Sequence, residues 1–259
     1  MLVLSFGKLL TGDFMRTLSK KSWINLLFLV FGLTVAKAQE HPSISTSHLS
    51  GNYYVYTSYG IPDDKTVFPA NGLYVVTAEG IILIDTPWDE EQTKQLADTL
   101  EKKHHQKIAV CLVTHHHDDR TAGLDWLKRN GTKTYSSRLT HSLCESNGEK
   151  LAEHTFAADT TIRLGNVKFQ TYYPGPGHSL DNLVVWFPDD KVLFGGCLVR
   201  SFEATQLPAT PGSDPVQWAQ ASKKLFARYG DAAYVIPGHQ SWEGGTAMLS
   251  HTMIVLSKR

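Results

Sequence analysis

Cysteine is scarce, at three in 259 residues, so no disulfide framework can carry the fold. Neither sign of charge dominates, with 25 basic and 25 acidic side chains, and the chain lacks the cationic surplus of a typical nucleic-acid binder. There is no low-complexity tract, and 42% apolar residues are too many for a disordered chain. The apolar run Trp23 to Ala36 is too short to cross a bilayer comfortably. What is left is a globular chain long enough to bury a sizeable core.

Lys20 and Lys21 precede that run, and the small-residue pattern Ala36-Lys37-Ala38 follows it. Residues 1–38 therefore read as a signal peptide cut before Gln39, with 39–259 as the mature domain. The mature chain carries 20 basic and 24 acidic residues. No cysteine sits at the cleavage site to take a lipid, so a periplasmic protein free of the membrane is expected.

Past Asn52, short apolar runs alternate with Gly, Pro and Asn punctuation. Tyr53 to Thr57, Leu73 to Thr77, Ile81 to Ile84 and Ile108 to Val113 read as strands, and Asp89 to Lys103 and Ala122 to Asn130 as helices. The second half repeats the pattern. Strands are expected at 162–164, 167–172, 183–187, 192–194 and 233–236, with helices at Trp218 to Tyr229 and Thr246 to Leu256. With no linker between the halves, the expectation is one α+β domain in which a sandwich of sheets is covered by helices.

The chemistry concentrates directly after the run Ile108 to Val113, in Thr114-His115-His116-His117-Asp118-Asp119-Arg120. In extended backbone, residues two apart share a side, so His115, His117 and Asp119 are expected to face one region and His116 and Asp118 to face elsewhere. Three later turns bring ligand-type residues to strand ends: Gly177-His178, Gly196-Cys197 and Gly238-His239. Three imidazoles suit a tetrahedral zinc with an open position for water, and Asp, Cys and His suit a second zinc alongside. Cys111, inside a strand, reads as a small buried hydrophobe. A pair with Cys144 is open.

These pieces resemble the metallo-β-lactamases, specifically the dizinc subclass with a cysteine ligand. The matching stretches are Asn71-Gly72-Leu73, Ile84-Asp85-Thr86-Pro87-Trp88, His115-x-His117-x-Asp119-Arg120, Gly175-x-Gly177-His178-Ser179-x-Asp181-Asn182, Gly195-Gly196-Cys197-Leu198-Val199-Arg200 and Pro237-Gly238-His239. The resemblance implies a four-layer αββα sandwich with a metal groove along one edge. His115, His117 and His178 would hold the first Zn2+, and Asp119, Cys197 and His239 the second. Asp119 would also orient the water that attacks a β-lactam amide, and Arg200 would take the substrate carboxylate. Phe68, Ile61, Trp88 and Ala209 would border the substrate, with residues 59–70 forming a mobile hairpin over it. The small-molecule substrate would be the only partner of a monomer.

Two departures stand out. Ala209 occupies a place where many relatives carry an asparagine, and Thr121-Ala122-Gly123 replaces a stretch that often has two glycines. The alternative reading is another hydrolase of the same superfamily, acting on thioesters or lactones. Those enzymes often carry a histidine after the metal-binding aspartate and an aspartate at the cysteine position, where this chain has Arg120 and Cys197. No Ser-x-x-Lys sequence follows residue 38 to supply a serine nucleophile.

Overall fold

The run Ile81-Ile82-Leu83-Ile84 has no polar alternation, and each of its four side chains is fully buried. A strand with that pattern must be covered on both faces. The computed structural model shows how. It describes residues 42–62, 66–157, 159–208 and 210–258. The leader and Ala209 lie outside the described residues.

Seven strands form one sheet in chain order: β1 (Ser45–Ser50), β2 (Tyr53–Gly60), β3 (Phe68–Thr77), β4 (Gly80–Ile84), β5 (Ile108–Leu112), β6 (Lys133–Ser137) and β7 (His154–Phe156). β1 to β4 pair antiparallel, and from β4 onward the pairing is parallel. The crossovers are helical, as parallel strands require: α1 (Glu90–His104), then α2 (Asp118–Thr121) with α3 (Leu124–Arg129), then α4 (Arg138–Asn147). The second sheet has the order β12-β11-β10-β9-β8, built from β8 (Thr161–Leu164), β9 (Val167–Tyr172), β10 (Val184–Phe187), β11 (Val192–Gly196) and β12 (Tyr234–Pro237). Helix α5 (Pro215–Tyr229) connects the parallel pair β11 and β12, and α6 (Ala247–Ser257) closes the chain.

Period-two alternation assigns each face. Leu73, Val75, Ile82, Ile84, Val110 and Leu112 of the first sheet meet Phe169, Val185, Phe187, Phe194 and Ile236 of the second in one central core. On the outer face of the first sheet, Tyr74, Ile81, Leu83 and Cys111 pack on Leu96, Leu100, Leu124 and Leu127 of the helices. On the other side, Val184, Leu193 and Val235 pack on Trp218, Leu225, Met248 and Leu249. The result is the αββα sandwich. Burying one such aliphatic side chain is worth about 1.5–3 kcal/mol, which makes the three layers of contact the main source of stability.

Most boundaries agree with the sequence reading, but five elements are additional and one helix is shorter than expected. β1, α2, β6, α4 and β7 were not expected. The helix expected over 122–130 is confined to α3, Leu124–Arg129, and α2 ends just ahead of it at Thr121. Ala122 keeps helical angles there (φ −55°), so an alanine fits without strain. The glycine that is retained, Gly123, has a packing reason: a Cβ there would lie 2.2 Å from Thr93 Oγ1. Cys111 and Cys144 are both buried free thiols.

Candidate metal centre

Parallel strands deliver loops at their C-terminal ends, where α/β sheets present ligands. β5 leads into His115 to Asp119, β11 into Cys197, and β12 into His239, while His178 comes from the loop between β9 and β10. Residues 114–117 are bends rather than extended strand. The shared orientation of His115 and His117 therefore comes from the turn, not from strand parity.

Local chemistry makes the turn. Asp85, directly after β4, adopts φ +63°, a left-handed conformation that aspartate tolerates better than most residues. Its carboxylate accepts from the Thr114 amide at 2.7 Å and from the Thr114 hydroxyl at 3.0 Å. With its proton committed to Asp85, Thr114 Oγ1 accepts from His115 Nδ1 at 3.2 Å. That leaves His115 Nε2 as the lone-pair nitrogen, directed at His117. His239 is oriented the same way, since its Nδ1 donates to the Pro69 carbonyl at 2.8 Å. Backbone or hydroxyl partners of this type set the tautomer of a ligating histidine.

The six residues singled out from sequence converge. His117 Nδ1 lies 3.1 Å from His115 Nε2 and 3.1 Å from His178 Nε2. Cys197 Sγ lies 3.2 Å from His239 Nε2, which is 3.4 Å from Asp119 Oδ2. The sets His115–His117–Asp119, His115–His178–Cys197 and Asp119–Cys197–His239 each have ligand atoms within 4.8 Å of one another. Two imidazole nitrogens on one tetrahedral zinc would stand about 3.3 Å apart, close to the spacings seen. Burial, followed by the charge of His117, holds His115 and His178 well below the usual histidine range. Both rings are held neutral, and their Nε2 atoms converge on His117 Nδ1. A divalent cation is the species that such a donor set fits. Burial pushes the Cys197 thiol up to about 12 against the pull of Arg120, and a bound metal would instead hold it as thiolate.

Arg120, to which the sequence reading assigned no role, is the hub of the site. It is 1% exposed. Nη1 donates to the Asn71 carbonyl at 2.7 Å, while Nη2 reaches Asp119 Oδ2 at 2.7 Å, the Gly238 carbonyl at 2.9 Å and Cys197 Sγ at 3.1 Å. Burial alone would raise the Asp119 carboxyl, but Arg120 and His239 outweigh it and hold Asp119 below its ordinary value. Gly238 is fixed by close approach: a Cβ there would sit 2.6 Å from the Cys197 nitrogen and 2.7 Å from its sulfur. Gly238→Ala is expected to cost about 1–3 kcal/mol of stability through overpacking and to weaken metal retention. Thermal melts with metal analysis check this, and an unchanged protein on both counts would contradict the packing argument.

The centre opens into a groove of about 640 Å³. Phe68, Trp88, Arg200, Pro208 and Thr210 line it, along with His116 and Asp118. Thus His116 and Asp118 do face the groove, although neither belongs to a ligand set among the described residues. His116 Nδ1 instead meets Asp181 Oδ1 at 2.9 Å. Ile61, at the end of β2, is half-buried and outside the groove lining. Arg200 is 8% exposed, and its Nε is buried without a hydrogen-bond partner among the described residues.

Residues 65–239 match the family described as the metallo-β-lactamase superfamily. A metallo-β-lactamase type 2 of Elizabethkingia meningoseptica is 37% identical over 243 residues, covering 93% of this chain and 96% of the relative. The chain belongs to the metallo-β-lactamases. Among solved structures, a metallo-β-lactamase from Pontibacter korlensis superposes with a TM-score of 0.80 at 38% identity, over 84% of this chain and 100% of that one. The metallo-β-lactamase FIM-1 from Pseudomonas aeruginosa, solved in a mono-zinc form, gives a TM-score of 0.78 at 29% identity over 85% of this chain and 98% of that one. The fold and the metal-dependent hydrolase class follow from this membership.

Proposed function

We propose that this metallo-β-lactamase holds two zinc ions and hydrolyses the amide of penicillins, cephalosporins and carbapenems, conferring resistance to them. The observation that carries the reading is the pairing of two adjoining ligand sets with a buried arginine, whose Nε has no hydrogen-bond partner among the described residues, in one groove. His115, His117 and His178 hold the first metal, and Asp119, Cys197 and His239 the second. When bound, zinc supplies Lewis acidity and makes water acidic enough to ionise near neutral pH.

The rest is done by side chains. Asp119, kept ionised by Arg120 and His239, orients the attacking water and takes up its proton. Arg200 receives the substrate carboxylate, for which its guanidinium fork is suited. That contact fixes the amide carbonyl over the metal centre and supplies orientation. Phe68 and Trp88, whose ring centroids are 6.4 Å apart, form an apolar wall that excludes bulk water. Pro62 and Phe68 reach the groove from the β2–β3 hairpin; we read that hairpin as closing on bound substrate, with Ile61 joining the wall on closure. Ala209 brings no side-chain donor to the substrate carbonyl.

Turnover of a chromogenic cephalosporin, with zinc content measured on the same sample, tests the proposal. Hydrolysis of a thioester or lactone without cephalosporin turnover would decide for the alternative superfamily activity. Arg200→Ala is expected to reduce kcat/KM for carboxylate-bearing substrates by about tenfold to a hundredfold, mainly through KM, as loss of a charged hydrogen bond implies. Equal loss on a carboxylate-free analogue would make Arg200 structural.

The leader reading extends the proposal to export. Residues 1–38 direct the chain to the periplasm, and 39–259 work there as a monomer. Among the described residues, no helix is long and apolar enough to cross a membrane. An intact mass beginning at Gln39 in the periplasmic fraction supports this, and an uncleaved chain at the membrane contradicts it.

A further inference from the structure

A cleft of about 460 Å³ backs onto the metal groove, separated from it by the contact between Asp181 and His116. Leu139 of α4, Phe156 at the end of β7, Tyr173 just after β9 and Leu183 just before β10 supply its apolar walls. Leu139 and Tyr173 are 44% and 39% exposed, and the neighbouring Leu180 is 44% exposed. Tyr173 is held in place by donating its hydroxyl to the Leu180 carbonyl at 2.6 Å. Large apolar side chains left open together mark a surface that binds something.

The polar group in the cleft shows what. Asp181 is 1% exposed and contributes to the lining. Its Oδ1 is engaged by His116 at 2.9 Å, while its Oδ2 is buried with no hydrogen-bond partner among the described residues. A buried acceptor left unmatched is costly, and a donor arriving in the cleft would recover that loss. The lining holds a second carboxylate, Asp159, and no lysine or arginine. Charge complementarity therefore selects a cation, and the apolar walls select a hydrophobic body behind it. The volume is that of an ordinary small-molecule pocket.

We propose that this cleft is a second ligand site, taking a small apolar molecule that carries a protonated amine, with its N–H donated to Asp181 Oδ2. The metal groove plays no part in recognition, so the site stands or falls independently of β-lactam hydrolysis.

The test is NMR titration of the zinc-loaded, isotope-labelled protein with 2-phenylethylammonium, using neutral 2-phenylethanol as the isosteric control. Saturable shifts of the Ser137, Leu139, Tyr173 and Leu183 amides are expected, with the alcohol at least about tenfold weaker. Leu139→Trp fills the cleft from an exposed position and should weaken the amine at least about tenfold, leaving zinc content and Tm unchanged. Asp181→Asn should bring the amine down to the affinity of the alcohol. Equal binding of amine and alcohol would overturn the proposal, as would undiminished binding in both variants. Shifts confined to the groove residues Asp118 and Glu149 would likewise overturn it, since the amine would then be reading the groove.

Discussion

Replacing Arg120 by methionine is expected to lower the melting temperature of the zinc-loaded protein by roughly 6–20 °C. The reasoning is electrostatic. Arg120 is fully enclosed and stands against Asp119 at 2.7 Å and Asp85 at 3.4 Å. Removing one partner from a buried ionic cluster leaves the others uncompensated and costs about 3–5 kcal/mol. In a domain of this size each kcal/mol moves Tm by about 2–4 °C. Methionine keeps the length and loses the donors, so the Asn71 and Gly238 carbonyls lose their partners as well. Arg120→Lys restores charge without the fork and should fall between the two. Calorimetry on the three proteins decides it: a methionine variant melting within about 2 °C of the parent would mean the cluster adds little.

Metal removal should have the largest effect on activity. Dialysis against a chelator is expected to abolish cephalosporin hydrolysis by at least about a thousandfold, with recovery on adding zinc, because nothing else in the groove brings water near ionisation at neutral pH. Cys197→Ser separates the two sites. A hydroxyl is a poor replacement for thiolate, so bound zinc should fall from about two per chain to about one, and the rate with it. Atomic emission on the purified variant gives the count. Two zincs retained at full rate would remove Cys197 from the ligand set. A parent protein that saturates at one zinc would contradict the two-metal proposal while leaving the first site intact.

Much of this was legible before any coordinates. Ile81 to Ile84 and Ile108 to Leu112 announce buried strands because both faces are apolar, and glycine or proline beside His178, Cys197 and His239 marks turns at strand ends. The stretch from Lys133 to Phe156 was not legible. β6 reads Lys-Thr-Tyr-Ser-Ser, α4 buries only Thr140 and Cys144, and β7 has three residues. Hydrophobic pattern is weak there, and pairing with an existing sheet edge makes the strands. β1, Ser-Thr-Ser-His-Leu-Ser, is an edge strand of the same polar kind. At the site, ligand identity shows in residue type, but orientation does not. Asp85 and Thr114 matter through a turn whose partners lie 29 positions apart. Arg120 matters through contacts 49 and 118 positions away. Strand parity grouped His115 with His117, which do meet, but through a backbone that is not extended, and it turned His116 and Asp118 away from the groove they line, which shows how little spacing alone constrains.

Asn71 ties together parts of the chain that are far apart in sequence. Its side-chain amide donates to the carbonyls of Pro237 at 3.1 Å and Gln240 at 2.8 Å, bridging 166 and 169 positions. The opening strand of the groove is thus stitched to the last loop that feeds it. A ribosome must have released nearly the whole domain before these atoms can meet, so partial chains should bind zinc feebly. The site therefore rests on closures between distant parts of the chain, which form more slowly than local contacts do.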